Sequence, residues 1–283
     1  MPHTTFALSR KVWRQGRVSE DSDQVVEESP VALVYNGISH AVMMATPADL
    51  ADLALGFSLS EGILADADQL IGLDVVARDQ GIEVIMEINA EPFAALKQRR
   101  RNLTGRTGCG LCGVESLEQA ITPPRQVTAD VRLTHEAVQL GLQGLARAQV
   151  LKTKTGGVHG AVWCDAAGSI RLVREDVGRH NALDKLLGAM VSGKEGREGF
   201  VLLTSRLSYE MVAKAAACNV PVLAAVSAPT ALAVKQAEAA QITLVGFVQT
   251  GRHVIYNGFF FLMIRRPPRS TPYPTLFPYT TLF

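Results

Sequence analysis

Two cysteines stand two residues apart in Gly108-Cys109-Gly110-Leu111-Cys112-Gly113, with glycine on both flanks and between them. A Cys-x-x-Cys pair can hold a metal, close a disulfide or carry sulfur as a persulfide. Glycine gives the backbone freedom and leaves the thiols accessible. The basic run Lys97-Gln98-Arg99-Arg100-Arg101, followed by Arg106, lies just upstream, and cations lower a thiol pKa and raise the thiolate fraction. The loop suits sulfur chemistry, but its spacing alone leaves all three uses open.

Polar clusters further along the chain suit anion binding. Thr155-Gly156-Gly157-Val158-His159-Gly160 is a glycine-rich turn whose free backbone N–H groups would cradle an anion, or else a tight turn with one structural histidine. Arg174-Glu175-Asp176-Val177-Gly178-Arg179-His180-Asn181-Ala182-Leu183-Asp184-Lys185 stands at a strand-to-helix junction. A helix cap with surface salt bridges explains part of it, but less well the convergence of two arginines, a histidine and an asparagine. Thr204-Ser205-Arg206-Leu207-Ser208-Tyr209-Glu210 combines hydroxyls, a guanidinium and a helix start, which suits phosphate. Finally, Gly246-Phe247-Val248-Gln249-Thr250-Gly251-Arg252 offers an aromatic face, a flexible turn and a guanidinium, suited to a stacked base and a phosphate or to a plain hairpin turn.

The elements that must position these clusters can be read from the pattern. Residues 1–24 are polar and read as loose strands or an arm. Residues 31–35 and 41–45 flank Asn36-Gly37, a hairpin signal. Thr46-Pro47-Ala48-Asp49 reads as a helix start, with Thr46 as N-cap and Leu50, Leu53, Ala54 and Phe57 at helical spacing. A second hairpin joins 73–78 to 82–88, a short helix over 114–120 follows the cysteine loop, and Pro123-Pro124 is a connector. Beyond it helices at 135–148, 181–191, 209–218 and 230–240 mix with strands at 160–164, 170–174, 200–204, 222–226 and 243–248. This alternation predicts an α/β layer with partly parallel strands, α+β over the whole chain. Ligands on such sheets sit at the loops beyond the strand ends. The division expected is an N-terminal hairpin-and-helix domain over 1–122, ending in the cysteine loop, and an α/β domain over 123–257.

Bulk properties narrow the function class. A formal net charge of +1 gives no electrostatic case for nucleic acid. Four cysteines in 283 residues are too few for a disulfide scaffold. No leader pattern opens the sequence and no apolar run reaches spanning length, so the expectation is a cytoplasmic protein without membrane contact. From Gly258 the composition changes: 258–283 hold five of the ten Phe, five of the thirteen Pro and no acid, with a near-repeat of six residues. That segment reads as a non-native extension resembling translated adapter or frameshifted sequence rather than an interaction tail. Removing its three arginines does not alter the conclusion on nucleic acid.

Taken together, the sequence resembles the FdhD family, the formate dehydrogenase accessory sulfurtransferases of molybdenum cofactor maturation. The likeness runs from about Glu27 to Tyr256 and rests on Asn36-Gly37, Thr46-Pro47, Gly56-Phe57, Ser60-Glu61-Gly62 and the Cys109/Cys112 loop. It continues through Thr155-Gly156-Gly157-Val158-His159, the run from Glu175 to Ala182, Asp184-Lys185, Ser205-Arg206, Ser208 with Glu210, and Gly246-Phe247. The resemblance implies a cytidine-deaminase-like α/β/α second domain and a homodimer. It implies a sulfur relay in which a cysteine desulfurase loads a persulfide onto Cys109, with Cys112 beside it. The sulfur then passes to the metal of a bis-molybdopterin-guanine-dinucleotide cofactor required by the formate dehydrogenase catalytic subunit. The implied cofactor-binding stretch is Phe247, Val248, Gln249, Thr250, Gly251 and Arg252, with Gln249 where a basic residue is commoner in the family. Gly156, Gly157, His159, Arg179, His180, Asn181, Ser205 and Arg206 complete the candidate site. No resident metal is expected.

Rival readings have weaker support. A structural zinc site needs a second thiol pair, whereas Cys164 and Cys218 are far apart and read as small buried residues. The deaminase zinc signature is missing, since His159 is followed by Gly160-Ala161. A thiol–disulfide oxidoreductase puts its cysteine pair at a helix start after a strand, but here the α/β repeat comes after the pair. The alternative function is a non-catalytic escort that only carries the cofactor.

Overall fold

The structure, a computed structural model, describes residues 3–103, 123–193, 195–196 and 198–258. Cys109, Cys112, the helix expected over 114–120 and nearly all of the C-terminal segment lie outside them.

The first elements are hairpins. β1 (Thr5–Arg14) and β2 (Arg17–Val26) pair antiparallel as a two-stranded ribbon, with Arg10 reaching Asp21 and Asp23 across it. β3 (Ser29–Tyr35) and β4 (Ile38–Ala45) form the hairpin read from Asn36-Gly37, where φ is 44° and 81°. β5 (Leu70–Arg78) and β6 (Gly81–Ile88) form the second. β6 lies parallel to β3, giving a four-stranded sheet in the order β4-β3-β6-β5. Strand alternation puts Val31, Leu33 and Tyr35 with Val84, Met86 and Ile88 on one face, against Leu53 and Ala54 of α1 (Leu50–Ser60).

Two details here differ from expectation. Thr46 does not cap α1; the helix begins at Leu50, and its N-cap is Asp49 with φ 53° and no side-chain cap bond. Thr46 is fully buried, and its backbone and hydroxyl bond to residues 130 and more positions away. The pattern also conceals α2 (Ala90–Leu103), which follows β6 and carries the basic run noted above.

After an irregular stretch at 123–134 come α3 (His135–Ala148), capped by the Thr134 hydroxyl, and the short α4 (Val150–Thr155), which the pattern did not reveal. Then follow β7 (His159–Asp165), β8 (Ile170–Asp176), α5 (Arg179–Ser192), β9 (Gly199–Leu203), α6 (Tyr209–Ala217), β10 (Val222–Ala225), α7 (Ala231–Ala240), β11 (Thr243–Gln249) and β12 (Arg252–Asn257). The six-stranded sheet has the order β12-β11-β10-β9-β7-β8, with β9, β10 and β11 parallel and β7, β8 and β12 antiparallel to their neighbours. Alternate residues feed two layers. Ala161, Trp163, Val201 and Leu203 pack under Leu183, Met211 and Ala237 of α5, α6 and α7. Val162, Cys164, Phe200 and Leu202 pack under Val138 and Leu145 of α3. The whole is a mixed α+β fold.

Three sets of polar contacts tie α1 and β4 to this layer. Lys185 and Asp176, both fully buried, pair at 2.6 Å. Lys185 also donates to the Thr46 carbonyl at 2.9 Å, the Thr46 amide donates to Asp176 at 3.0 Å, and Asn181 donates to the Met44 carbonyl at 2.8 Å. Lys214 binds Asp184 at 2.9 Å and Glu61 at 2.7 Å, and Ser60 donates to Asp184 at 2.7 Å. Arg174 pairs with Asp52 at 2.7 Å. The charged run, for which a helix cap with surface salt bridges is only a partial explanation, is therefore largely an internal junction.

Candidate functional site

The parallel strands bring their C-terminal ends to one edge of the six-stranded sheet, where open α/β sheets bind ligands. Antiparallel β7 delivers its first residues to the same edge. The Gly160 amide donates to Thr204 Oγ1 at 2.9 Å and the Thr204 amide to the Gly160 carbonyl at 3.0 Å. His159 pairs with Asp176 at the end of β8. Along the edge the Leu207 amide donates to the Ala228 carbonyl, Thr230 back to Leu207, and Phe247 to Ser227 at 3.1 Å. One continuous rim thus joins the polar clusters of the second half. The Ser227-Ala228-Pro229-Thr230 loop that links them was missed in the sequence, although Thr230 announces itself there as the start of α7, which its hydroxyl caps.

The glycine-rich turn is positioned from beneath. Glu175 is buried, and its two carboxylate oxygens accept the Leu151 and Lys152 amides at 2.8 Å each, closing the start of α4. The free amides expected at Gly156 and Gly157 are not free. Gly156 N–H donates to the Lys152 carbonyl at 2.8 Å and Gly157 N–H to Thr155 Oγ1 at 3.2 Å. Gln149 fills the space a side chain at Gly160 would need, and its Nε2 is buried with no partner among the described residues.

Two histidines on this rim sit in different electrostatic surroundings. Burial, with the Lys152 and Arg179 cations, pushes His159 below its ordinary 6.5, so it is held neutral at neutral pH. His180 Nε2 lies 2.9 Å from Glu210, which also accepts from Ser208 Oγ at 3.2 Å. Burial works to raise Glu210, but those hydrogen bonds and the nearby cationic groups prevail and hold its carboxyl below 4.5. The N-terminus of α6, expected to welcome an anion, thus already faces a carboxylate. Of the other candidates, Asn181 is committed to Met44 and Asp176, and buried Ser205 donates to the Arg206 carbonyl at 3.2 Å. Arg206 and Arg252 are exposed, and Arg179 is half-buried.

At the far end of the rim the chain is strained. Phe247, within β11, has φ 51°, a left-handed conformation where the pairing of β11 with β12 is irregular, and such outliers cluster at functional sites. Val248 is buried in the core, Gln249 ends β11, and Thr250-Gly251 forms the hairpin turn. Gly251, with φ 73°, has open space on its side-chain face.

A separate cleft lies between the two sheets' helices. Its larger lobe, about 460 Å³, is lined by Ser60, Glu61, Pro92 and Arg125, and an adjoining lobe of about 260 Å³ by Asp66 and Cys218. Cys164 is buried as expected, and burial drives its thiol up to about 12. Cys218 corrects the expectation of a buried residue, being half-buried at the C-cap of α6. Among the described residues no three His, Cys, Asp or Glu side chains gather as metal ligands would, and no helix is long and apolar enough to cross a membrane.

Comparison with known proteins decides the family. The FdhD/NarQ family model matches residues 26–260. The chain belongs to the FdhD/NarQ family. It is 57% identical over 255 residues to the sulfur carrier protein FdhD of Cupriavidus necator, covering 90% of this chain and 88% of that protein. It is 52% identical over 239 residues to the sulfur carrier protein FdhD of Variovorax paradoxus, covering 84% and 86%. In structure it is similar to a protein from Desulfotalea psychrophila described as a formate dehydrogenase accessory protein. The TM-score is 0.70 at 23% identity, over 90% of this chain and 98% of the other. Some of the residues on which the resemblance rested meet at two places in this FdhD/NarQ chain. Thr46, Gly56, Ser60, Glu61, Asp184 and Lys185 build the junction, while His159, His180, Glu210 and Phe247 line the rim.

Proposed function

We propose that this chain is a sulfur carrier that takes persulfide sulfur from a cysteine desulfurase and delivers it to a molybdenum bis-guanine-dinucleotide cofactor destined for formate dehydrogenase. The observation that carries the reading is the 57% identity, over nine-tenths of the chain, to a sulfur carrier protein FdhD. The thiol chemistry supports it. Cys164 is too buried, and its thiol too high at about 12, to act as a nucleophile. The glycine-flanked pair is the better carrier, with Cys109 receiving the sulfur and Cys112 its neighbour. In the loading step the Cys109 thiolate attacks the outer sulfur of the desulfurase persulfide, a new S–S bond forms, and the desulfurase cysteine leaves as thiolate.

The acceptor is cargo, and the rim of the six-stranded sheet is where we place it. Exposed Arg252 and Arg206 would pair with phosphate oxygens, and Phe247 would offer a flat face to a base. Neutral His159 and the His180–Glu210 pair supply hydrogen-bonding groups, with Gly156, Gly157 and Thr250-Gly251 keeping the approach open. Asn181, Ser205, Val248 and Gln249 belong to this segment as supports. The proposal further divides the chain at 122/123 into a hairpin-and-helix domain and a cytidine-deaminase-like α/β/α domain, with residues 258–283 a foreign extension. It takes the protein to be a cytoplasmic homodimer that meets the desulfurase and the formate dehydrogenase catalytic subunit in turn.

Incubation with a cysteine desulfurase and cysteine, followed by intact mass spectrometry, tests this. One added sulfur that disappears in Cys109→Ala is expected. No added sulfur, with guanine-nucleotide binding retained, would leave an escort that carries the cofactor without sulfurating it.

A further inference from the structure

The turn between β11 and β12 is held by a chain of side-chain hydrogen bonds that leads away from the rim. The Gly251 amide donates to Gln139 Oε1 of α3 at 2.8 Å. An N–H can only donate, so Gln139 must turn its oxygen toward Gly251 and its nitrogen the other way. Gln139 Nε2 lies 3.2 Å from His253 Nδ1, which therefore accepts. A neutral imidazole accepting at Nδ1 carries its proton on Nε2. His253 Nε2 lies 2.8 Å from His135 Nδ1, so His253 donates and His135 accepts. The two rings stack with centroids 5.0 Å apart and planes inclined by 23°. One amide orientation thus fixes both tautomers.

This chain tolerates no additional proton. A proton on His253 Nδ1 would face the Gln139 N–H₂ donor. Turning that amide would place its nitrogen against the Gly251 N–H instead. A proton on His135 Nδ1 would face the His253 N–H. We propose that Gln139, His253 and His135 form a proton-sensitive latch that positions the Thr250-Gly251-Arg252 turn and releases it on acidification. The latch rests on the reading of this turn as part of the acceptor site, and makes Gln139 and both histidines positioning residues for it.

The sign follows from the geometry. Burial first, and His135 second, hold His253 below 6.5 in the latched state. A depressed histidine contributes stability that is complete above the unlatched value and is lost as pH falls through the latched one. Release therefore belongs below about 6.5. The other charged groups around the pair are Arg132 just before α3, Glu136 and Arg147 on α3, Arg252 on β12, Lys235 and Glu238 on α7, and Arg171, Arg174, Glu175 and Asp176 on β8, which also packs against α3.

Amide exchange at Gly251, followed by NMR in the full chain and corrected for intrinsic rates, is the direct readout. Protection is expected to be constant above about pH 7 and to fall by up to about tenfold per pH unit below 6.5, the slope for opening coupled to one proton. Gln139→Glu keeps an acceptor for Gly251 and gives protonated His253 a carboxylate, so this variant should reverse the trend and gain protection on acidification. GDP, titrated calorimetrically over the same range, should bind more weakly at low pH in the wild type and show the opposite slope in Gln139→Glu. Flat protection at Gly251 in the wild type, or an unchanged slope in Gln139→Glu, overturns the latch. GDP that binds independently of pH while Gly251 opens also overturns it as a device for the site. If GDP fails to bind at any pH while Gly251 switches as described, the latch stands and the reading of this turn as the binding segment is lost.

Discussion

Gly56 of α1 and Gly188 of α5 meet backbone to backbone. A β-carbon on Gly56 would stand 2.8 Å from the Gly188 nitrogen and 2.7 Å from the Asp184 carbonyl carbon. One on Gly188 would stand 2.9 Å from the Gly56 nitrogen and 2.8 Å from the Asp52 carbonyl carbon. The obstacle on both sides is helix backbone, which cannot swing aside as a side chain would. This close approach brings Ser60 and Glu61 within reach of Asp184 and Lys214, so the two sheets share one polar junction.

Gly56→Ala and Gly188→Ala should therefore each destabilise the protein by about 3 kcal/mol or more, at the upper end of overpacking costs. Urea denaturation measures this. Gly196→Ala, where a β-carbon would meet nothing within 4 Å, is the matched control and should leave the midpoint unchanged.

Removing one partner of the buried Asp176–Lys185 pair leaves an uncompensated charge, and Lys185→Met should cost about 3–5 kcal/mol. Asp176 retains the Thr46 and Gly178 amides and the Asn181 side chain as donors. Neutralising it as well, in Asp176→Asn/Lys185→Met, should thus recover part of the loss. A double variant less stable than the sum of the singles would show that those donors, not the ion pair, hold the junction.

The Glu210–His180 contact predicts an acid-side dependence. The carboxyl is held below its ordinary 4.5 in the folded chain, so its contribution is present above that value and is lost as pH falls through the depressed one. The difference in thermal midpoint between wild type and Glu210→Gln should be largest near neutrality and shrink steadily below pH 4.5. A difference that persists unchanged at pH 3 would assign the contact a packing role alone.

Hairpins and most helices were legible because their signals are local. Asn36-Gly37 names its own turn, and the apolar spacing of α3 marks its span to the residue. The misreading at Thr46 and the open reading of the charged run before Lys185 share a cause. A hydroxyl before a helix and a carboxylate beside a lysine look the same in sequence whether they face water or a neighbouring element. Thr46 looked like a cap, yet its partners are Asp176, Val177 and Lys185. The rim suffered similarly. Its residue types suggested anion binding, but Asn181 is taken by Asp176 and, across the junction, by Met44, while the end of α4 takes the Gly156 and Gly157 amides through Lys152 and Thr155.

Glu175 offers a test of how the glycine-rich turn is held. Glu175→Ala leaves the Leu151 and Lys152 amides without their acceptor, which should cost about 1–2 kcal/mol, as for a lost N-cap. Exchange at 151–156 should speed up well before global unfolding, while Glu175→Gln, which keeps one acceptor oxygen, should fall between. The helix α4 also packs against β2, and unchanged exchange in Glu175→Ala would mean that this packing and not the carboxylate holds it.

Phe247 separates backbone strain from ring chemistry. Its φ of 51° is unfavourable for any residue with a β-carbon by about 1 kcal/mol, and glycine is free of that penalty. Phe247→Gly should therefore be more stable than Phe247→Ala by about 1 kcal/mol, although both lose the packing of the ring. Strain ranks the two variants by stability, whereas stacking ranks the wild type first in affinity. If the ring serves as a flat face for a guanine base, GDP should bind tightest to wild type and weakly to both variants, by about 1–3 kcal/mol, regardless of their relative stability. Should Phe247→Gly bind GDP as well as wild type does, the strained geometry would belong to the turn alone, and the base would have to stack elsewhere on the rim.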